Sequence, residues 1–180
     1  MSTIYLMGLR GSGKSTLGRR LAALLDAARG RGFVDLDDIT PRVLGQASAA
    51  DALRVLGEAA FRAGEAKALG APEVIAAGVV ALGGGTPTGK ASLEILNQRR
   101  MSGARLIYLR AEAATLRRRL AATDLTQRPS LTGADPLVEI EVVFARRDPL
   151  YLEIADEVVQ VDAMSEDQAL DALVTLARAM

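Results

Sequence analysis

The chain has 180 residues, 49% of them hydrophobic and 24% charged, with 22 Lys plus Arg against 22 Asp plus Glu and no formal net charge. That balance fits one globular domain able to bury a core, and argues against a general nucleic-acid or membrane-surface binder, which needs excess positive charge. The absence of cysteine and histidine excludes disulfides, thiolate or imidazole metal sites and Ser-His or Cys-His catalysis, leaving carboxylates, arginine, lysine, hydroxyls, backbone amides and a hard metal ion.

Taken in chain order, "TIYLMG" (3–8) reads as a buried strand ending in a glycine-rich loop. Leu17, Leu21, Leu24 and Leu25 recur at helical spacing behind that loop. After the turn "ARGRG", "FVDLD" (33–37) is a second strand, and the alanine-rich region 39–69 is helical, with Leu44, Leu53, Leu56 and Phe61 as its apolar points. "VVALGGG" (79–85) is a third strand with a glycine turn. "VIAA" (74–77) competes with it, since Gly70 and Pro72 weaken a helix running up to it. "RLIYLR" (105–110) and "EVVQVD" (157–162) are the fourth and fifth strands. "SEDQ" (165–168) is a capping-box pattern opening a last helix through Leu170, Leu173, Val174 and Leu176. Strands alternating with helices predict an α/β fold of three layers, α/β/α, around a five-stranded parallel sheet. Residues 120–135 carry many turn formers and little apolar periodicity, and are expected to be a mobile loop. The longest uncharged run, Val74 to Gly89, is shorter than the ~20 apolar residues of a spanning helix. The N-terminus has no signal-peptide layout, so a cytoplasmic protein is expected.

Two local patterns carry chemistry. Gly8, Gly13, Lys14 and Ser15 fit G-x-x-x-x-G-K-[ST] between a predicted strand and a predicted helix. Glycines turn backbone N–H groups inward around phosphate oxygens, and the helix N-terminus adds its dipole. Lys14 would reach the β- and γ-phosphates and the Ser15 hydroxyl would ligate Mg²⁺. Lysine is scarce, three against nineteen arginines, so its presence at this position is informative. A P-loop names a nucleotide, not a reaction. The third strand ends in "GGG" rather than in acidic residues, so the metal's carboxylate must come from elsewhere, and "VDLDD" offers it. Asp35 and Asp37, two apart on a strand, would share a face, with Asp38 pointing away. One can hold Mg²⁺ and the other accept a hydroxyl proton; a solvated acidic turn is the alternative.

"GEAAFRAGE" (57–65), "GGG" (83–85), "RPSL" (128–131) and "RRDPLY" (146–151) follow these two motifs in order. Together they resemble the shikimate kinase family, within the nucleoside monophosphate kinase-like P-loop group, from Ile4 to about Ala155. The resemblance implies transfer of the γ-phosphate of ATP to the 3-hydroxyl of shikimate, on the route to chorismate and the aromatic amino acids. It implies a single kinase domain over 1–180, with the P-loop at 8–16, an acceptor-binding helical region at about 38–70 and a lid at about 120–136. It further implies that Gly11, Ser12, Gly13, Lys14, Ser15 and Thr16 hold ATP. Ser15 and Asp35 then hold Mg²⁺, Asp37 acts on the acceptor, Arg62 and Arg147 grip its carboxylate, Gly84 lets the backbone approach its ring, and Arg128 reaches the ATP phosphates from the lid. Lys14, Asp37 and Arg128 would be the catalytic residues. The only partner expected is the small-molecule substrate, with no nucleic acid and no membrane, and the chain is expected to be a monomer.

The residue chemistry agrees with these roles. A small polyol acid needs a carboxylate clamp, and arginine offers a planar fork that lysine lacks. Glu65, three after Arg62, can hold that guanidinium in place. Arg128 would neutralise charge on the transferring phosphoryl group, and a closing lid would exclude water. Arg146 and Arg147 compete for one place in the site. "LRRRL" (116–120) reads as a solvated helix face, with Arg119 able to stack on adenine, and Phe61 as core or pocket wall. The sequence departs from the family pattern at Ser130, at Leu53 and in "VDAMSED", which lacks a basic residue near the adenine side. A gluconate-type kinase would share the P-loop without needing both later arginine motifs. A non-catalytic nucleotide-binding paralogue would have lost Lys14, Asp37 or Arg128, and all three are present.

Overall fold

A computed structural model describes residues 3–26, 31–122 and 136–179. The first apolar run forms β1 (Ile4–Met7), and all four side chains are buried. Successive strand side chains point to opposite faces, so both faces of the sheet are covered, which makes three layers. The glycine loop leads into α1 (Lys14–Asp26), followed by β2 (Phe33–Asp35), α2 (Leu36–Val43), α3 (Ala49–Leu69), α4 (Pro72–Ala76) and β3 (Val79–Ala81). After a 3-10 turn at Thr86–Thr88 come α5 (Lys90–Met101), β4 (Arg105–Arg110), α6 (Ala113–Ala121), α7 (Pro136–Ile154), β5 (Glu157–Gln160) and α8 (Glu166–Arg178).

The five strands lie in the order β2-β3-β1-β4-β5, all parallel, as the alternation of elements predicts. Ile4 of β1 is flanked by Val79 of β3 and Arg105 of β4. The chain leaves β1 toward one edge of the sheet and later returns to fill the other, so the crevice belongs at the carboxyl end of β1, where the glycine loop begins. At the opposite, amino end polar groups are spent on structure. Asp156 accepts from the Leu106 amide at 2.8 Å and from Arg100 Nη2 at 2.6 Å, tying α5 to the start of β4 and β5.

Several boundaries differ from the sequence expectation, each for a physical reason. The second strand stops at Asp35, because that carboxylate caps α2 by accepting from the Asp37 amide. Asp37 therefore lies in the first turn of a helix, and the strand alternation expected to align it with Asp35 does not apply. Region 39–69 divides into α2 and α3, the latter capped by Ser48. Within α3, Gly57 takes φ 79° and breaks the helical run, a conformation that costs glycine little. Pro72 opens α4 at its first turn instead of weakening it, so 74–76 is helical and β3 starts at Val79. The sequence assigned no element to α7, because Pro149 sits inside it and cannot donate to the Ala145 carbonyl. The last helix begins as expected, with the reciprocal Ser165–Gln168 capping box in place.

Candidate active site

At the carboxyl end of β1 the loop 8–13 wraps the start of α1. Gly11 and Gly13 take φ +83° and +94°, values that a β-carbon would strain. A β-carbon on Gly8 would lie 2.7 Å from the Leu109 carbonyl, so the loop also sits tight on the neighbouring strand. No acidic residue occupies the first turn of α1, leaving its N-terminal dipole for an anion. Lys14 Nζ folds over the loop, donating to the carbonyls of Gly8 at 2.8 Å and Leu9 at 3.1 Å. Ser12 is buried and Thr16 exposed. Ser15 Oγ donates to Asp35 Oδ2 at 2.5 Å. A hydroxyl and a carboxylate this close form the hard oxygen pair that Mg²⁺ favours, and in that sense the residues fit the ion.

The second half of the site gathers around the three glycines after β3. A β-carbon on Gly83 would lie 2.7 Å from both Asp37 Oδ1 and Glu65 Oε1, and 2.9 Å from Thr86 Oγ1, so three oxygen groups converge where this residue has no side chain. One on Gly85 would collide with the Arg62 guanidinium. One on Gly84 would stand 3.7 Å from the Arg10 amide nitrogen and 3.8 Å from the Gly8 carbonyl, in the space between the glycine triplet and the phosphate loop. Sequence reasoning singled out Gly84 alone; a side chain at Gly83 or Gly85 would have to displace the polar side-chain ends packed beside it.

Arg62 donates to Glu65 Oε2 at 2.6 Å and to Glu58 Oε1 at 3.3 Å, so the three-residue spacing does bring Glu65 to the guanidinium. Glu65 is buried and also accepts from Thr86 Oγ1; burial raises its pKa above the ordinary carboxylate value against the pull of Arg62. Arg147 Nη1 donates to the Gly84 carbonyl at 2.7 Å, whereas Arg146 is exposed. Burial lowers the Arg147 pKa, and the nearby Arg62 charge pulls the same way, against Tyr151 and the two glutamates. Two guanidiniums therefore converge in partly buried surroundings, an arrangement that favours an incoming anion. Arg128 and Ser130 lie outside the described residues, as does most of the expected lid at about 120–136.

Other residues complete the site without having been anticipated. Tyr151 Oη donates to the same Gly84 carbonyl at 2.5 Å. Asp148, buried, accepts from Tyr108 Oη at 2.8 Å and from Arg110 Nε at 2.8 Å and Nη2 at 3.0 Å, fastening α7 to β4. The only sequence signal for them was membership of the short motifs "RLIYLR" and "RRDPLY". Arg119 Nη2 donates to the Val161 carbonyl at 2.7 Å, while Arg117 and Arg118 face solvent as the helix-face reading expected. Phe61 is buried, with Arg62 over its ring at 5.8 Å. Among the described residues no helix is long and apolar enough to cross a membrane.

A parallel α/β sheet with a phosphate loop at its switch point, beside a glycine triplet and two arginines, defines a fold of the P-loop nucleoside monophosphate kinase-like group. The shikimate kinase family model matches residues 10–177. The shikimate kinase of Oleidesulfovibrio alaskensis is 41% identical over 160 residues, covering 88% of each chain. Shikimate kinase 2 of Yersinia enterocolitica is 38% identical over 169 residues, covering 92% of this chain and 90% of its own. Among solved structures, the shikimate kinase of Acinetobacter baumannii in complex with shikimate superposes with a TM-score of 0.82 at 30% identity, over 99% of this chain and 94% of that one. The chain belongs to the shikimate kinase family and is an ATP-dependent kinase of shikimate. The gluconate-kinase and non-catalytic alternatives are not favoured.

Proposed function

We propose that the two halves of this site transfer the γ-phosphate of ATP to the 3-hydroxyl of shikimate, with the following division of labour. Backbone amides of Gly11–Thr16 and the α1 dipole hold the donor phosphates, and Lys14 exchanges its carbonyl partners for β- and γ-phosphate oxygens. Ser15 and Asp35 would hold Mg²⁺, which when bound offsets the negative charge of the phosphates. Arg62 and Arg147 clamp the acceptor carboxylate, turning the ring so that its hydroxyl meets Asp37. The Asp37 carboxylate accepts the hydroxyl proton as that oxygen bonds to the γ-phosphorus and the bond to the ADP oxygen breaks. Arg128 would neutralise the transferring group from the lid. The protein is expected to act as a cytoplasmic monomer.

The observation that carries this reading is the facing pair of loops. Gly84 lies so near Gly8 and Arg10 of the phosphate loop that a β-carbon on it would already touch them, which supports an acceptor held beside the glycine triplet being next to a donor held by the phosphate loop. A coupled ADP-release assay tests it: shikimate with Mg²⁺ and ATP should give turnover, gluconate should give little, and chelation of Mg²⁺ should abolish the signal. Strong gluconate turnover without shikimate turnover sinks the reading.

A further inference from the structure

We infer that Tyr151 is a positioning residue for acceptor binding, its hydroxyl pinning the Gly84 carbonyl and, through that carbonyl, the Arg147 guanidinium. The Gly84 oxygen accepts from Tyr151 Oη at 2.5 Å and from Arg147 Nη1 at 2.7 Å, which uses both of its lone pairs. Gly84 lies in a run of three glycines; the Gly83 and Gly85 carbonyls are held by Thr86 and Thr88, and the Gly84 carbonyl by Tyr151 and Arg147. A rotated peptide would carry away both the partner that orients Arg147 and the backbone facing the phosphate loop. Only one of the five Arg147 N–H groups is spent on Gly84, so this bond can aim the rest of the fork at a carboxylate.

Tyr151 is well placed to supply that restraint because it cannot itself move. It is fully buried, and its ring meets Tyr108 edge to face at 5.3 Å and 89°. The Tyr108 hydroxyl is bonded to Asp148, which the Arg110 fork grips from the end of β4. An anchor on the sheet is thus relayed through α7 to the glycine loop of the site. Burial pushes the Tyr151 phenol up to about 12, against the opposing Arg147 charge, so it stays a donor across working pH.

The inference rests on the reading that Arg147 grips the acceptor carboxylate, and the test separates the two. Steady-state kinetics of the full chain are measured for wild type, Tyr151→Phe, Arg147→Ala and the double variant, varying shikimate and ATP in turn. Tyr151→Phe should raise the shikimate KM about five- to tenfold, the loss of one hydrogen bond. The ATP KM and kcat should stay within about twofold. In the Arg147→Ala background it should add less than about twofold, because the guanidinium it aims is gone. An unchanged shikimate KM, an equal rise in both KM values, or full additivity in the double variant overturns the inference while leaving the Arg147 clamp standing. If Arg147→Ala itself leaves the shikimate KM unchanged, the clamp fails and the inference with it. Thermal unfolding checks that Tyr151→Phe is folded at the assay temperature. Asp148→Asn, which loosens the same anchor at its far end, should give a smaller rise again confined to shikimate, and decides the matter should the first variant not fold.

Discussion

The donor and acceptor halves of the site are built in opposite ways. The proposed donor half is mostly local: nine consecutive residues, 8–16, contain the glycines, the lysine, the hydroxyl and the helix start, with Asp35 and the expected Arg128 coming from elsewhere. The acceptor half is assembled from four separated pieces, with Asp37 from α2, Arg62 and Glu65 from α3, Gly83–Gly85 from the loop after β3, and Arg147 and Tyr151 from α7. A local site depends on backbone conformation, whereas a dispersed one depends on the packing of helices against the sheet. Damage to the first should therefore act on the phosphate chemistry, and damage to the second should fall on one substrate.

Asp37→Asn gives the largest break in the comparison. With its proton acceptor gone, kcat should fall by roughly 10²–10⁴-fold, while the Kd for ATP, read by titration, stays near wild type. Near-normal turnover would remove Asp37 from the chemistry. Arg147→Ala should come next, raising the shikimate KM by about 10²-fold for a lost charge-assisted contact. Arg146→Ala should leave it within about twofold, since Arg146 is exposed. The reverse pattern would exchange the two neighbours. Gly84→Ala is finer: its β-carbon would meet only ordinary contacts at 3.7 and 3.8 Å, so the Tm should hardly move. Yet the methyl would stand between the two halves, and the shikimate KM should rise about tenfold or kcat fall similarly. A large Tm drop with normal kinetics in the folded fraction would show that this close approach of the loops is not used.

The smallest effect lies at the opposite end of the sheet. Asp156→Asn should cost about 1 kcal/mol of stability in denaturant unfolding and leave both KM values unchanged. Burial raises the Asp156 pKa, but the bonds from Arg100 and the Leu106 amide outweigh it and hold the value below the usual 3.8. For a carboxylate lowered in this way the stabilisation is present above pH 3.8 and disappears as pH falls through the folded-state value, so wild type and variant should converge in acid. A gap that persists there would mean that the carboxylate's charge is not what stabilises this corner.

How much of this could be read from the chain depended on whether a feature was local. The strand core positions, the phosphate loop and the Ser165 cap lie within a few residues and follow from periodicity and turn chemistry. Asp35 and Asp37 were read as a pair at the end of the second strand, sharing a face through strand alternation. Asp35 actually caps a helix, and the same carboxylate meets Ser15 through its other oxygen. The α7 helix escaped notice because Pro149 contradicts local propensity, a contradiction resolved by its packing on β4 through Asp148. The crowding of Gly83 and Gly85 was not legible because the groups beside them, Glu65 and Arg62, are some twenty residues away in sequence.

By itself the sequence determined the alternating parallel fold, the nucleotide-binding loop and the residue types available for chemistry, because each is written in neighbouring positions and in what the composition lacks. Only the tertiary structure decided that Arg147 rather than Arg146 turns inward, that Tyr151 shares its carbonyl partner, and which side chains crowd Gly83 and Gly85. Those outcomes depend on distances between elements some twenty to more than sixty residues apart along the chain, and such distances exist only once the helices have packed against the sheet.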